Sequence, residues 1–205
     1  AGEVQDAYAT LDADPKNPML NRTISERYAP GSTFKVLTAI ALIENGIANP
    51  DTRMDSPVST TLPGTNTEVS NIESSTCGDG KPTLTEAFAR SCNTTFVLAS
   101  EKLTTQQLTD VTKRFGFGHE QEIPLTVIPS VFPSDADSAQ LAMSSIGQYT
   151  VQATPMQMAQ VAQTIANGGQ MMSPYLIKQI VDADNQTIRK TKATEAGRPI
   201  SADTA

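Results

Sequence analysis

One segment dictates most of what this chain can fold into. Phe34 to Ile43 is apolar except for Lys35 and Thr38, is opened by Pro30-Gly31 and is closed by Asn45-Gly46. Pro-Gly before and Asn-Gly after are breaker signals of the kind that bound a helix, with Gly46 suited to its C-cap. The apolar residues fall on every side of that helix, so it has no face to give to water and must be wrapped by the rest of the chain. It is far short of the roughly 20 residues needed to cross a bilayer. A chain of 205 residues can supply the wrapping as one domain. Its 38% hydrophobic and 18% charged residues fit a globular protein rather than a disordered one. A net charge of -7 argues against a nucleic-acid partner, which needs clustered Lys and Arg.

The surroundings read as more helices and little strand. Residues 1–30 look polar and loop-rich, and 47–82, rich in Pro, Gly, Thr, Ser and Asn, read as loops with short strands at most. Thr83 to Glu86 and Thr104 to Gln107 are capping boxes, predicting helices that end near Arg90 and at Phe115-Gly116. Between them the chain breaks at Ser91-Cys92-Asn93 and resumes as a helix from about Thr94 to Leu103. After a Pro-punctuated loop over 118–135, a helix is expected near Ala136–Ser145, with Asp135 and Asp137 as capping charges. Another starts at Thr154-Pro155 and stops at Asn167-Gly168-Gly169. Segments 175–181 and 187–190 flank Asp184-Asn185 as a hairpin.

Two short motifs can carry chemistry. Ser32 and Lys35 are three residues apart, a spacing that puts them on one helix face about 5–6 Å apart at Cβ. A serine hydroxyl is a poor nucleophile until a base takes its proton. A lysine can be that base if burial and a helix N-terminus lower its pKa. Alone, the string is a weak signal and reads more readily as a helix-capping Ser with an exposed Lys. Ser91 and Asn93 lie at a helix break, where a hydroxyl can relay a proton and an amide can hold a substrate. Alone, they fit a helix end followed by an Asn cap. His119, the single histidine, sits in a Gly-rich loop with no nucleophile elbow and is read as structural or exposed. The methionines from Met143 to Met172 read as core filler. Cys77 and Cys92 lack zinc-site spacing; they are either two buried thiols or, in an oxidising compartment, a disulfide.

Together the motifs resemble the serine penicillin-recognising enzymes, in particular the transpeptidase domain of class B penicillin-binding proteins. The resemblance runs in order through Asn21-Arg22, Tyr28 to Lys35, Glu86-Ala87-Phe88 with Ser91-Cys92-Asn93, Ile146-Gly147-Gln148, Thr154 to Gln157, Asn167-Gly168-Gly169 and Pro174-Tyr175. It implies an α+β, serine beta-lactamase-like fold. It also implies that Ser32 attacks a D-Ala-D-Ala stem peptide, Lys35 is the base, Ser91 shuttles a proton and Asn93 binds the substrate amide. An amine of a second stem peptide would then resolve the acyl-enzyme, beta-lactams would trap Ser32, and no metal or cofactor is called for. Cell-wall synthesis or division proteins are expected partners. The expected location is the extracytoplasmic face of the bacterial membrane, anchored by a segment outside this chain.

The family's third motif, Lys-Thr-Gly or Lys-Ser-Gly, does not occur; Lys190-Thr191-Lys192 fails at the glycine. Residues 1–205 are therefore expected to be a partial domain, mainly its helical part with little of the central antiparallel sheet. They would lack the strands before residue 1 and the Lys-Thr-Gly strand after residue 205. Such a piece alone should be inactive, with Phe34 and Ile40 left exposed where the sheet would pack. The rival functions are a D,D-carboxypeptidase or beta-lactamase on the same fold, and a non-catalytic beta-lactam sensor or scaffolding domain.

Overall fold

The computed structural model describes residues 2–121 and 123–205. The helices among them are α1 (Gly2–Asp12), α2 (Arg22–Ser25), α3 (Lys35–Glu44), α4 (Leu84–Ala89), α5 (Asn93–Ser100), α6 (Thr105–Arg114), α7 (Ser138–Ser144) and α8 (Pro155–Ala166). α3 is the axis of the molecule. Leu37, Ile40, Ala41 and Leu42 are buried, and α4, α5 and α6 pack around it. Thr38, its one polar interior residue besides Lys35, donates to the Ser145 carbonyl at 2.7 Å, which joins α3 to the end of α7. Asn45 and Gly46 close α3 as expected, Gly46 at a φ of +66°.

The capping signals resolve as geometry. Thr83, Thr104 and Asp137 each accept from the backbone N–H three residues on, and their own N–H groups donate in return to the side chains of Glu86, Gln107 and Gln140. Thr154 caps α8, with Pro155 in its first turn. The strands β1 (Ser59–Thr61), β2 (Glu68–Ser70), β3 (Met171–Met172), β4 (Gln179–Val181), β5 (Thr187–Lys190) and β6 (Glu195–Gly197) form three antiparallel pairs: β1–β2, β3–β6 and β4–β5. The β4–β5 loop exceeds two residues because Asp182 accepts from the N–H groups of Asp184 and Gln186.

Three expectations change. The stretch read as loop contains α1, built from helix formers, although none of its residues is buried. Val4, Tyr8 and Leu11 line one exposed face of it. The pairing of β3 with β6 went unseen because so short a strand has no periodicity to read. Phe34 and Ile40 are not exposed: they are 0% and 4% accessible. Phe34 stacks on Phe132 (5.7 Å between centroids) and meets Phe117 edge-on (6.0 Å). The open apolar face belongs to neighbouring positions, where Thr33 and Val36 form a cleft with Met158, Val161 and Ile165 of α8.

Candidate active site

Ser32 sits in a 3-10 turn, Gly31–Phe34, that runs into α3 at Lys35. The sequence places both residues in one helical turn; the structure gives Ser32 the tighter winding, in which residues three apart eclipse. The turn is held from both sides. The Thr33 hydroxyl donates to the Pro30 carbonyl at 2.9 Å, and the Lys35 N–H donates to the Ser32 carbonyl. A second strap crosses from the segment between α7 and α8: Gly31 N donates to the Gly147 carbonyl at 2.9 Å, and Tyr28 exchanges two 2.9 Å bonds with Ala153. Gly147 has a φ of +72°, and a Cβ built on it would lie 2.1 Å from the Gly31 carbonyl oxygen. Only glycine fits so close a backbone crossing. Ser32 itself is exposed.

Ser91 and Asn93 are presented by the break between α4 and α5. Ser91 N donates to the Phe88 carbonyl and Cys92 N to the Ala87 carbonyl, the paired bonds of a Schellman helix end. Ser91 occupies the left-handed position at a φ of +57°, where glycine is usual. That conformation costs a non-glycine residue about 1–2 kcal/mol. It turns the chain so that Ser91 and Asn93 both face α3. Cys92, between them, is bridged to Cys77 with their Cα atoms 6.0 Å apart, so the disulfide alternative is the one adopted.

Lys35 joins the two motifs. It is 1% exposed, yet its Nζ donates to three acceptors: the Ser91 carbonyl at 2.7 Å, Ser91 Oγ at 3.0 Å and Asn93 Oδ1 at 2.7 Å. Three ammonium protons meet three acceptors, all of them neutral groups. Burial without a carboxylate partner lowers the amine from 10.5 to about 8. The Phe96 ring lies 5.7 Å away, within cation–π range. The amine thus reaches toward the second motif, and none of its hydrogen bonds goes to Ser32 Oγ.

Asn93 is fixed at both ends of its amide, since Nδ2 also donates to the Ser70 carbonyl at 2.9 Å. Reading the sequence missed this loop contribution: a backbone carbonyl and an isolated Asn71 leave no motif. His119 is exposed in its loop, as expected. Lys190-Thr191-Lys192 lies at the end of the exposed β4–β5 hairpin. Among the described residues, no cluster of three or more His, Cys, Asp or Glu side chains could hold a metal ion.

A sequence model of the penicillin binding protein transpeptidase domain matches residues 2–205. The chain belongs to that family. Peptidoglycan D,D-transpeptidase PbpA of Mycolicibacterium smegmatis is 44% identical over 199 residues, covering 96% of this chain and 40% of that protein. PbpA of Mycobacterium tuberculosis is 39% identical over 203 residues, covering 97% of this chain and 41% of the relative. Among solved structures, the imipenem acyl-enzyme complex of M. tuberculosis penicillin-binding protein A superposes with a TM-score of 0.90 at 37% identity. That match covers all of this chain and 47% of the other. The D,D-transpeptidase domain of a peptidoglycan glycosyltransferase from Eggerthella lenta gives 0.87 at 28% identity, covering 98% and 52%. The chain therefore spans about two-fifths of the length of these PbpA relatives, and its α+β fold, with few strands, is that of part of a class B transpeptidase domain.

Proposed function

We propose that this chain carries the nucleophile and base of a serine D,D-transpeptidase that crosslinks D-Ala-D-Ala stem peptides of peptidoglycan. One observation carries the reading: a buried amine with a pKa near 8 bonds Ser91 Oγ and Asn93 Oδ1 from the helix that Ser32 precedes. Neutral Lys35 takes the Ser32 hydroxyl proton as Oγ bonds to the carbonyl carbon of the penultimate D-Ala. The proton then passes from Nζ along the 3.0 Å contact to Ser91 Oγ, while the Ser91 proton goes to the departing D-Ala nitrogen. The C–N bond breaks and an ester on Ser32 remains. An amine of a second stem peptide attacks that ester, gives its proton back by the same route and frees Ser32. Asn93 Nδ2 has two protons; one is held by Ser70, leaving the other for the substrate amide.

The D,D-transpeptidase relatives support this activity, and the acyl-enzyme complexes of the M. tuberculosis protein with imipenem and penicillin G support covalent capture of beta-lactams. Among the described residues every Lys35 hydrogen-bond partner is neutral, which supports transfer over hydrolysis, since none of them is a carboxylate that could activate a deacylating water. A stem-peptide substrate puts the domain outside the cytoplasmic membrane, with anchoring by another segment and cell-wall proteins as partners. The test is a labelled penicillin with the full-length protein and peptide mapping by mass spectrometry. The adduct is expected on Ser32 alone and lost in Ser32→Ala. A label elsewhere, or one undiminished in the variant, refutes the assignment.

A further inference from the structure

Behind the Ser91–Asn93 break lies a buried polar knot that the reaction itself does not use. α5 begins without a cap of its own, because its N-cap residue is Cys92, whose sulfur is committed to Cys77. The backbone N–H groups of its first turn need acceptors. One is supplied from across the chain: Asn71 Oδ1 accepts from Thr94 N at 3.0 Å. The same amide's Nδ2 donates to the carbonyls of Pro57 (2.9 Å) and Ser75 (3.1 Å), which pins the loop that carries it. The Thr94 hydroxyl lies 3.2 Å from Asn71 Oδ1 and 2.8 Å from the Pro57 carbonyl. Asn71 is 8% exposed, while Ser56 and Thr94 beside it are fully buried.

The neighbouring residues repeat the pattern one position earlier. Ser70 holds Asn93 through its carbonyl, as Asn71 holds Thr94 through its side chain. Two consecutive residues at the end of β2 thus grip two consecutive residues at the start of α5. The first of those, Asn93, is one of the three acceptors for Lys35.

We propose that Asn71 is a positioning residue for the reaction: by capping α5 in trans at Thr94, it fixes Asn93 and, through Asn93, the Lys35 amine. The proposal rests on the transpeptidase reading above. A buried amide with every polar atom satisfied is a rigid support, and its removal leaves Thr94 N without an acceptor inside the protein and releases the Ser75 carbonyl, while Pro57 O keeps its bond from the Thr94 hydroxyl.

The test is second-order acylation of the full-length protein by a fluorescent penicillin, with each time course normalised to its own end point. Lost folding then lowers the amplitude and leaves the rate alone. Asn71→Ala is expected to acylate about tenfold more slowly, the effect of one buried hydrogen bond on the barrier. In an Asn93→Ala background the same change should cost less than about twofold, because the group it acts through is gone. Asn71→Asp keeps the acceptor for Thr94 N but turns a carboxylate oxygen toward the Pro57 and Ser75 carbonyls, so it should lower the end-point amplitude while its normalised rate stays within about threefold of wild type; that rate carries the test if the alanine variant does not fold. A wild-type rate in Asn71→Ala, an undiminished loss in the Asn93→Ala background, or an Asp variant as slow as the alanine one overturns the proposal. No acylation of the wild-type protein would instead overturn the functional reading on which it rests.

Discussion

If Lys35 is the base, acylation must follow its titration. An ordinary lysine at 10.5 would be neutral in about 3 molecules in 10,000 at pH 7; one at about 8 is neutral in about one in ten. Burial therefore raises the supply of competent base about 300-fold. The acylation rate constant should climb about tenfold per pH unit below 8 and level off above it. Stopped-flow capture of a fluorescent penicillin between pH 6 and 10, on wild type and on Lys35→Met, measures this. The same shift makes a stability prediction. The folded pKa lies below the unfolded one, so the unfolded chain binds the extra proton between about 8 and 10.5. The contribution of Lys35 is fully present above 10.5 and is lost as pH falls toward 8. It is worth at most about 3 kcal/mol, less wherever solvent screens the amine. The stability of wild type minus that of Lys35→Met should accordingly rise with pH across that window. A flat acylation profile from pH 6.5 to 9, or a plateau reached only above pH 10, would refute the assignment of Lys35 as a buried, depressed base.

Three other outcomes are expected. Reduction of Cys77–Cys92 should lower stability by about 3 kcal/mol, the chain-entropy value for a loop of this length, and slow acylation as Ser91 and Asn93 loosen; denaturant midpoints and label uptake with and without reductant measure both. Gly147→Ala should cost more than about 1 kcal/mol and slow acylation, since its Cβ meets the Gly31 backbone; an unchanged melting temperature would contradict the crossing described above. A polypeptide of residues 1–205 should acylate about 10²–10³-fold more slowly than one extended through a Lys-Thr-Gly segment, if that segment supplies an oxyanion donor; equal rates would make it dispensable.

Much of this arrangement is legible in the sequence because local chemistry decides it. α3 is announced by apolar residues on all sides between two breakers, and α4, α6 and α8 by Thr caps whose partners lie three residues on. The break at Ser91 is readable too, although the Schellman turn that forms it has no glycine to signal it. What is not legible depends on contacts distant in sequence. The direction of the Lys35 amine follows from acceptors 56 and 58 residues away. The burial of Phe34 follows from Phe117 and Phe132, which lie in or beside a loop with no periodic pattern. Asn71 looks in the sequence like any loop asparagine, and only its placement against Thr94 gives it a role. α1 reads as loop because polar residues and the Asp14-Pro15 and Asn17-Pro18 turn signals dominate residues 1–30, although Val4, Tyr8 and Leu11 fall at i, i+4 and i+7 and carry the helical period.

The proposed base and proton relay are assembled by helix ends together with the end of β2. Every group that holds Lys35 and its partners lies between Tyr28 and Ala153: the Pro30 and Gly147 contacts on the nucleophile turn, the Schellman end of α4, the Ser70–Asn71 grip and the bridge at Cys92. None of these requires a Lys-Thr-Gly strand. The depressed pKa of Lys35 likewise comes from its burial. The two halves of the chemistry are therefore separable in principle. In the proposed mechanism proton transfer would be set by this chain's own packing, whereas stabilisation of the oxyanion would come from donors placed around Ser32, which stands exposed in its turn.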